Sequence, residues 1–158
     1  MKIRRKARLR ALQILYAYEI SGNTPEQIFD DPIWEKPIDE RSREFCEELI
    51  KETIKNEDKF DELIKKKSRN WKFERITLID KLILRLTICE FLNFSEIPPK
   101  VSIDEALEIS KIFSTEKSSK FINGILDSIL IELKKEGRIY KERRGLIDEK
   151  CKPVNKNK

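Results

Sequence analysis

Residues 75–94, RITLIDKLILRLTICEFLNF, decide the fold. Neither Gly nor Pro interrupts them over roughly five helical turns. On a helical projection Ile76, Leu78, Ile79, Leu82, Ile83, Leu86 and Cys89 share one broad apolar face. In the second half Leu84, Ile88, Phe91 and Leu92 make the back of the helix apolar as well. A helix that is apolar all round has to be covered by other helices. Only Thr77, Asp80, Lys81 and Arg85 give it a polar side, near its start. The expectation is a central buried helix over 75–94, wet at its N-terminal end and dry at its C-terminal end. It is not a membrane span, because Asp80, Lys81, Arg85 and Glu90 would each be expensive in lipid.

The flanking sequence reads at the same 3.6-residue period, and no strand pattern is visible, so the fold class is all-α. Upstream, residues 4–20 carry Ala7, Ala11, Ile14, Leu15 and Tyr18 on one stripe, widened by Leu12 and Tyr16. Ser21-Gly22-Asn23 stops that helix, and Thr24-Pro25-Glu26-Gln27 starts a short one with a capping box. Trp34, Pro37 and Ile38 belong to a connection. Residues 39–67 hold two apolar stripes, Phe45 to Ile54 and Phe60 to Ile64, separated by a break at Asn56. Trp71, in the connection to the central helix, is expected to plug the core. Downstream, Ser102 and Glu105 suggest a capping box that opens a helix bearing Ile103, Ala106, Leu107, Ile109 and Ile112. A final helix from about Lys117 to Glu136 turns Phe121, Ile122, Ile125, Leu126, Ile129, Leu130 and Leu133 inward, with Gly137 at its C-cap. Gly124 lies inside that helix, at a cost of about 1 kcal/mol relative to Ala. Close approach of another backbone or of a ligand would explain it.

Charge bounds the function. The 158 residues carry net +5, and charged residues make up 40% of them. Residues 1–18 hold six basic residues and no acid; residues 134–158 hold ten basic against four acidic, so the middle is strongly acidic. An acidic body with two basic ends is an electrostatic footprint for a polyanion. Arg4, Arg5, Lys6 and Arg8 crowd a helix start, where the dipole prefers acids. Local helix energetics do not ask for them, which points to a ligand. The sequence has no histidine, and Cys46, Cys89 and Cys151 stand far apart. A metal site, a cofactor site and histidine-based catalysis are therefore not expected. No secretory signal is visible, so a cytoplasmic protein is expected. The organisation read from the chain is a helical domain over 1–137 and a basic, disordered tail over 138–158.

Four stretches, in this order and spacing, resemble the NusB family: RRKARLRALQILY at 4–16, IDKLILRLTICEF at 79–91, IPPKVSIDEALEISKIF at 97–113 and KFINGILD at 120–127. The resemblance implies an all-helical fold of about seven helices in two small packed bundles. It implies a bacterial transcription antitermination factor, not an enzyme. Such a factor binds the boxA element of nascent RNA, chiefly on ribosomal RNA operons, together with the ribosomal protein NusE, within the RNA polymerase antitermination complex. By the same resemblance the RNA-binding residues are Arg4, Arg5, Lys6, Arg8, Gln13, Arg85, Phe121 and Asn123, and Tyr16, Glu74 and Asp80 lie at the NusE boundary. Phe121 is either a core residue or a base-stacking platform. Two departures stand out: Arg10 and Lys117 occupy positions where relatives often carry an acid. The alternatives are a helical interaction module without RNA binding, and a module like the N-terminal domain of ribosomal RNA cytosine methyltransferases. The Gly-rich catalytic domain that follows in such enzymes is not among these residues, so the second alternative is the less expected.

Overall fold

The computed structural model describes residues 2–29, 39–69, 72–143, 145 and 152–153. Trp34, Pro37, Ile38, Trp71 and Cys151 lie outside them. Among the described residues there are seven α-helices, and the chain divides into two compact units, 1–55 and 56–158. No described helix is long and apolar enough to cross a membrane.

The first unit holds α1 (Lys2–Ser21), α2 (Pro25–Phe29) and α3 (Glu40–Lys55). Ala7, Ala11, Leu12, Ile14 and Leu15 of α1 are buried, as are Cys46, Leu49 and Ile50 of α3, which packs against α1. The capping box of α2 forms as its sequence requires. The Thr24 N–H donates to Gln27 Oε1 (2.9 Å), and the Gln27 N–H donates to Thr24 Oγ1 (3.2 Å).

The second unit holds α4 (Glu57–Lys67), a 3₁₀ turn at Phe73–Arg75, α5 (Leu78–Asn93), α6 (Pro99–Phe113) and α7 (Glu116–Lys135). Asn56 is indeed the break between α3 and α4. Helix α5 contacts α4, α6 and α7, and every residue from Leu82 to Phe91 is buried. It starts later than the apolar pattern suggests. Thr77 takes extended backbone angles and its hydroxyl accepts the Asp80 N–H, so 75–77 lead into the helix rather than belong to it.

The expected wet start of α5 holds at Thr77, which is exposed, and at Lys81, which is half-buried, but Asp80 and Arg85 are both buried. The expected capping box at Ser102 does not form either. Helix α6 begins at Pro99, whose fixed φ suits the first helical position, and Ser102 is buried inside the helix, donating to Glu90 Oε1 at 3.1 Å. Ile112, expected inward, is 62% exposed. Helix α7 starts one residue early, with the Thr115 side chain accepting the Ser118 N–H. It ends as Gly137 demands. With φ at +67°, its N–H bonds the Lys134 carbonyl while the Arg138 N–H bonds that of Leu133.

The start of the tail is ordered, against expectation. Ile139 is buried, and Lys141 is fully buried. The Lys141 ammonium donates to the carbonyls of Glu90 (3.0 Å) and Phe94 (2.7 Å), closing the C-terminal end of α5. A cation there suits both the helix dipole and the unsatisfied carbonyls. The Glu142 N–H bonds the Ser95 carbonyl, and the Ser95 hydroxyl donates to Glu142 Oε1. Gly145 sits so close to the Ser95 carbonyl that a Cβ would collide with it. A two-residue parallel pairing, β1 (Tyr140–Lys141) with β2 (Lys152–Pro153), is an addition the helical period does not reveal. The rest of the expected disordered tail lies outside the described residues.

Candidate nucleic-acid interface

Arg4, Arg5, Lys6 and Gln13 are exposed along α1, and Tyr16 is partly exposed. Arg8 departs from expectation: it is 3% exposed. The reason is Phe45 of α3, a residue the apolar stripe hides. The guanidinium carbons of Arg4 and Arg8, one turn apart on α1, stand 5.7 and 5.6 Å from its ring centroid. Each is a cation–π contact, and the desolvated one is the stronger. Phe45 therefore forms a shelf that holds two arginines in a fixed row. Arg10, half-buried beside them, acts on Cys46. Burial pushes the Cys46 thiol up to about 12, Arg10 pulls it down and Glu47 raises it.

In the second unit, Phe121 of α7 is half-exposed, so it belongs to neither extreme of core and platform. Asn123 and Gly124 are exposed, one helical turn from Lys120. Among the described residues, nothing outside its own helix backbone and chain neighbours comes within 4 Å of where a Gly124 side chain would begin. Of the two expectations, a close second backbone is not found among the described residues, and the surface of α7 is open at Gly124.

Arg85 is not available as a basic contact. Its guanidinium grips Asp61 of α4 with two parallel bonds (2.7 and 3.0 Å), and Glu57 stands 3.2 Å away. The fork geometry matches a carboxylate, which is why an arginine serves here and a lysine would not. Asp80 is likewise engaged: Oδ1 accepts the hydroxyl proton of Ser114 at the α6–α7 junction (2.9 Å). Glu74, in the 3₁₀ turn, is exposed. The second unit thus separates the sequence-derived candidates into exposed residues, Glu74 and Asn123, the half-exposed Phe121, and the buried Asp80 and Arg85, of which Asp80 is hydrogen-bonded to Ser114 and Arg85 is paired with Asp61 and Glu57.

A model of the NusB family matches residues 5–130. The transcription antitermination protein NusB of Salinibacter ruber is 44% identical over 149 residues, which span 93% of this chain and 92% of that protein. Among solved structures, a NusB of T. maritima matches with 36% identity and a TM-score of 0.75, covering 82% of this chain and 91% of that one. A chain from the crystal structure of antitermination factors NusB and NusE in complex with double-stranded RNA shares the fold at 24% identity and a TM-score of 0.74, covering 84% of this chain and 98% of that one. These relatives are transcription factors rather than enzymes. With its family model spanning most of its length and its helices matching theirs, the chain belongs to the NusB family.

Proposed function

We propose that this protein binds boxA RNA of nascent transcripts together with NusE, and so promotes antitermination by RNA polymerase, chiefly on ribosomal RNA operons. One observation carries the reading. Arg4, Arg5 and Lys6 are exposed in the first turns of α1, where the helix dipole penalises cations and where Phe45 lines up Arg4 with Arg8. The pairing of NusB with NusE and RNA in a relative of the same fold supports it.

Within this reading Arg4, Arg5 and Lys6 contact phosphates and bases, and Gln13 extends that row along α1. Arg8 acts by holding the Phe45 shelf. Phe121 offers its exposed edge to a base, and Asn123 with Gly124 lets a strand lie close to α7. Tyr16 and Glu74 are the exposed partner-facing residues, Glu74 suiting a basic ribosomal protein. Asp80 steadies the start of α5 through Ser114, and Arg85 supports the fold through α4.

The test is fluorescence anisotropy of labelled boxA RNA and of a scrambled RNA, with and without NusE. Tighter binding of boxA than of the scramble, sharpened by NusE, is expected. Equal and weak binding of both RNAs in the presence of NusE overturns the proposal.

A further inference from the structure

The second unit carries a basic groove that no sequence motif marks. It is open, has a volume of about 690 Å³ and is lined by Lys59, Glu62, Leu63, Lys65, Lys66 and Arg138. Four cations face one acid. Lys59, Glu62, Leu63 and Lys66 follow one another at helical spacing on one face of α4, while Arg138 enters from beyond the end of α7.

Two of these cations need no ligand. Lys65 and Lys66 lie in the last turn of α4, where the dipole favours them. Lys65 stands 4.0 Å from Glu62, and Lys66 shares Glu132 with Lys67, each at 3.4 Å. Burial works to raise the Glu132 carboxyl, but Lys66 and Lys67 hold it below the usual range. Lys59 and Arg138 are different. Lys59 is the third residue of α4, in a first turn that prefers acids, and among the described residues it has no ion-pair partner. Arg138 follows the α7 cap, and among the described residues its one ion-pair partner is the exposed Glu136, at 3.3 Å. Lys59 and Lys66 are two turns apart, about 10 Å along the α4 axis. Cations set along a track, with Leu63 as the floor between them, suit an extended polyanion better than a compact one.

We propose that this groove is a second phosphate-binding surface for single-stranded RNA flanking the recognised element. The inference rests on the RNA-binding reading above and extends it to RNA beyond boxA. Phosphate contacts position a strand without reading it, so the groove adds affinity and not sequence preference.

The experiment compares boxA RNA alone with boxA carrying single-stranded flanks on both sides. It uses the full chain with NusE, the double variant Lys59→Gln with Arg138→Gln, each single variant, and Arg4→Ala. The double variant should bind flanked RNA about fivefold more weakly at low salt, with a salt slope shallower by about 1.4, and bind boxA alone unchanged. The single variants should each give part of the loss, so a folding defect in one leaves the other to read. Flanked RNA bound equally by parent and double variant overturns the groove. Loss of polyglutamate binding with RNA binding retained also overturns it, and assigns the surface to an acidic protein. If Arg4→Ala changes nothing on either RNA, the reading of α1 fails instead, and the two failures are distinct.

Discussion

Ser114 and Asp80, 34 residues apart, are joined by a 2.9 Å hydrogen bond that ties the α6–α7 junction to the first turn of α5. The bond makes Asp80 an internal strut. Asp80→Ala and Ser114→Ala should each lower stability by about 1–2 kcal/mol. The double variant should cost less than their sum, and urea unfolding of all four proteins measures the difference. Strict additivity would show that the bond contributes nothing. In calorimetry with NusE, Asp80→Asn, which keeps the acceptor oxygen, should retain more affinity than Asp80→Ala.

Arg4 and Arg8 share Phe45 but differ in exposure, so their alanine variants should differ. Arg4→Ala should leave the melting temperature unchanged and flatten the salt dependence of RNA binding by about 0.7. Arg8→Ala should cost about 1–2 kcal/mol of stability, because a desolvated cation–π contact goes with it. A melt of each variant, followed by an RNA salt titration, decides between these roles.

Arg85→Ala should be the most damaging single change in the second unit. It leaves Asp61 and Glu57 facing each other without their cation, at a cost of about 3–5 kcal/mol. Arg85→Lys should recover only part, since an ammonium cannot make the two parallel bonds to Asp61. Under conditions where the variant remains folded, RNA affinity should equal that of the parent. A large loss of RNA affinity without a loss of stability would restore Arg85 to the interface.

Cys46 sets a pH dependence at the alkaline end. Its folded pKa of about 12 lies above the ordinary 9.0, so the native state holds the proton more tightly than the unfolded chain. The corresponding stability is fully present below pH 9 and is lost as pH rises from there towards 12. Between pH 8 and pH about 10.5, the parent should therefore lose more stability than Cys46→Ala. Parallel losses in urea unfolding would count against a buried neutral thiol.

What could be read from the sequence was local. The reciprocal cap of Thr24 and Gln27, the break at Asn56 and the left-handed Gly137 all depend on neighbours within a turn, and all appear. The apolar period likewise placed every long helix within a few residues. The failures share another cause. Asp61 meets Arg85 from 24 residues away, Ser114 meets Asp80 from 34, and Phe45 lies on a different helix from the arginines it holds. A charged side chain looks solvated in a linear reading until its distant partner is known. Ser102 misled in the opposite way. Its capping pattern is real in the sequence, but Pro99 had already begun the helix three residues earlier.

The buried Lys141 carries a consequence for synthesis of the chain. The carbonyls it satisfies belong to Glu90 and Phe94, made 51 and 47 residues before it. At the usual rate of elongation that interval lasts about 3–10 s. Throughout it, the carbonyls at the C-terminal end of α5 exist while their partner has not yet been added. The last turn of the most buried helix in the second unit therefore closes only after Lys141 has been added. A released chain truncated before Lys141 would keep those α5 carbonyls without their ammonium partner, and the last turn of α5 should lose protection in amide exchange.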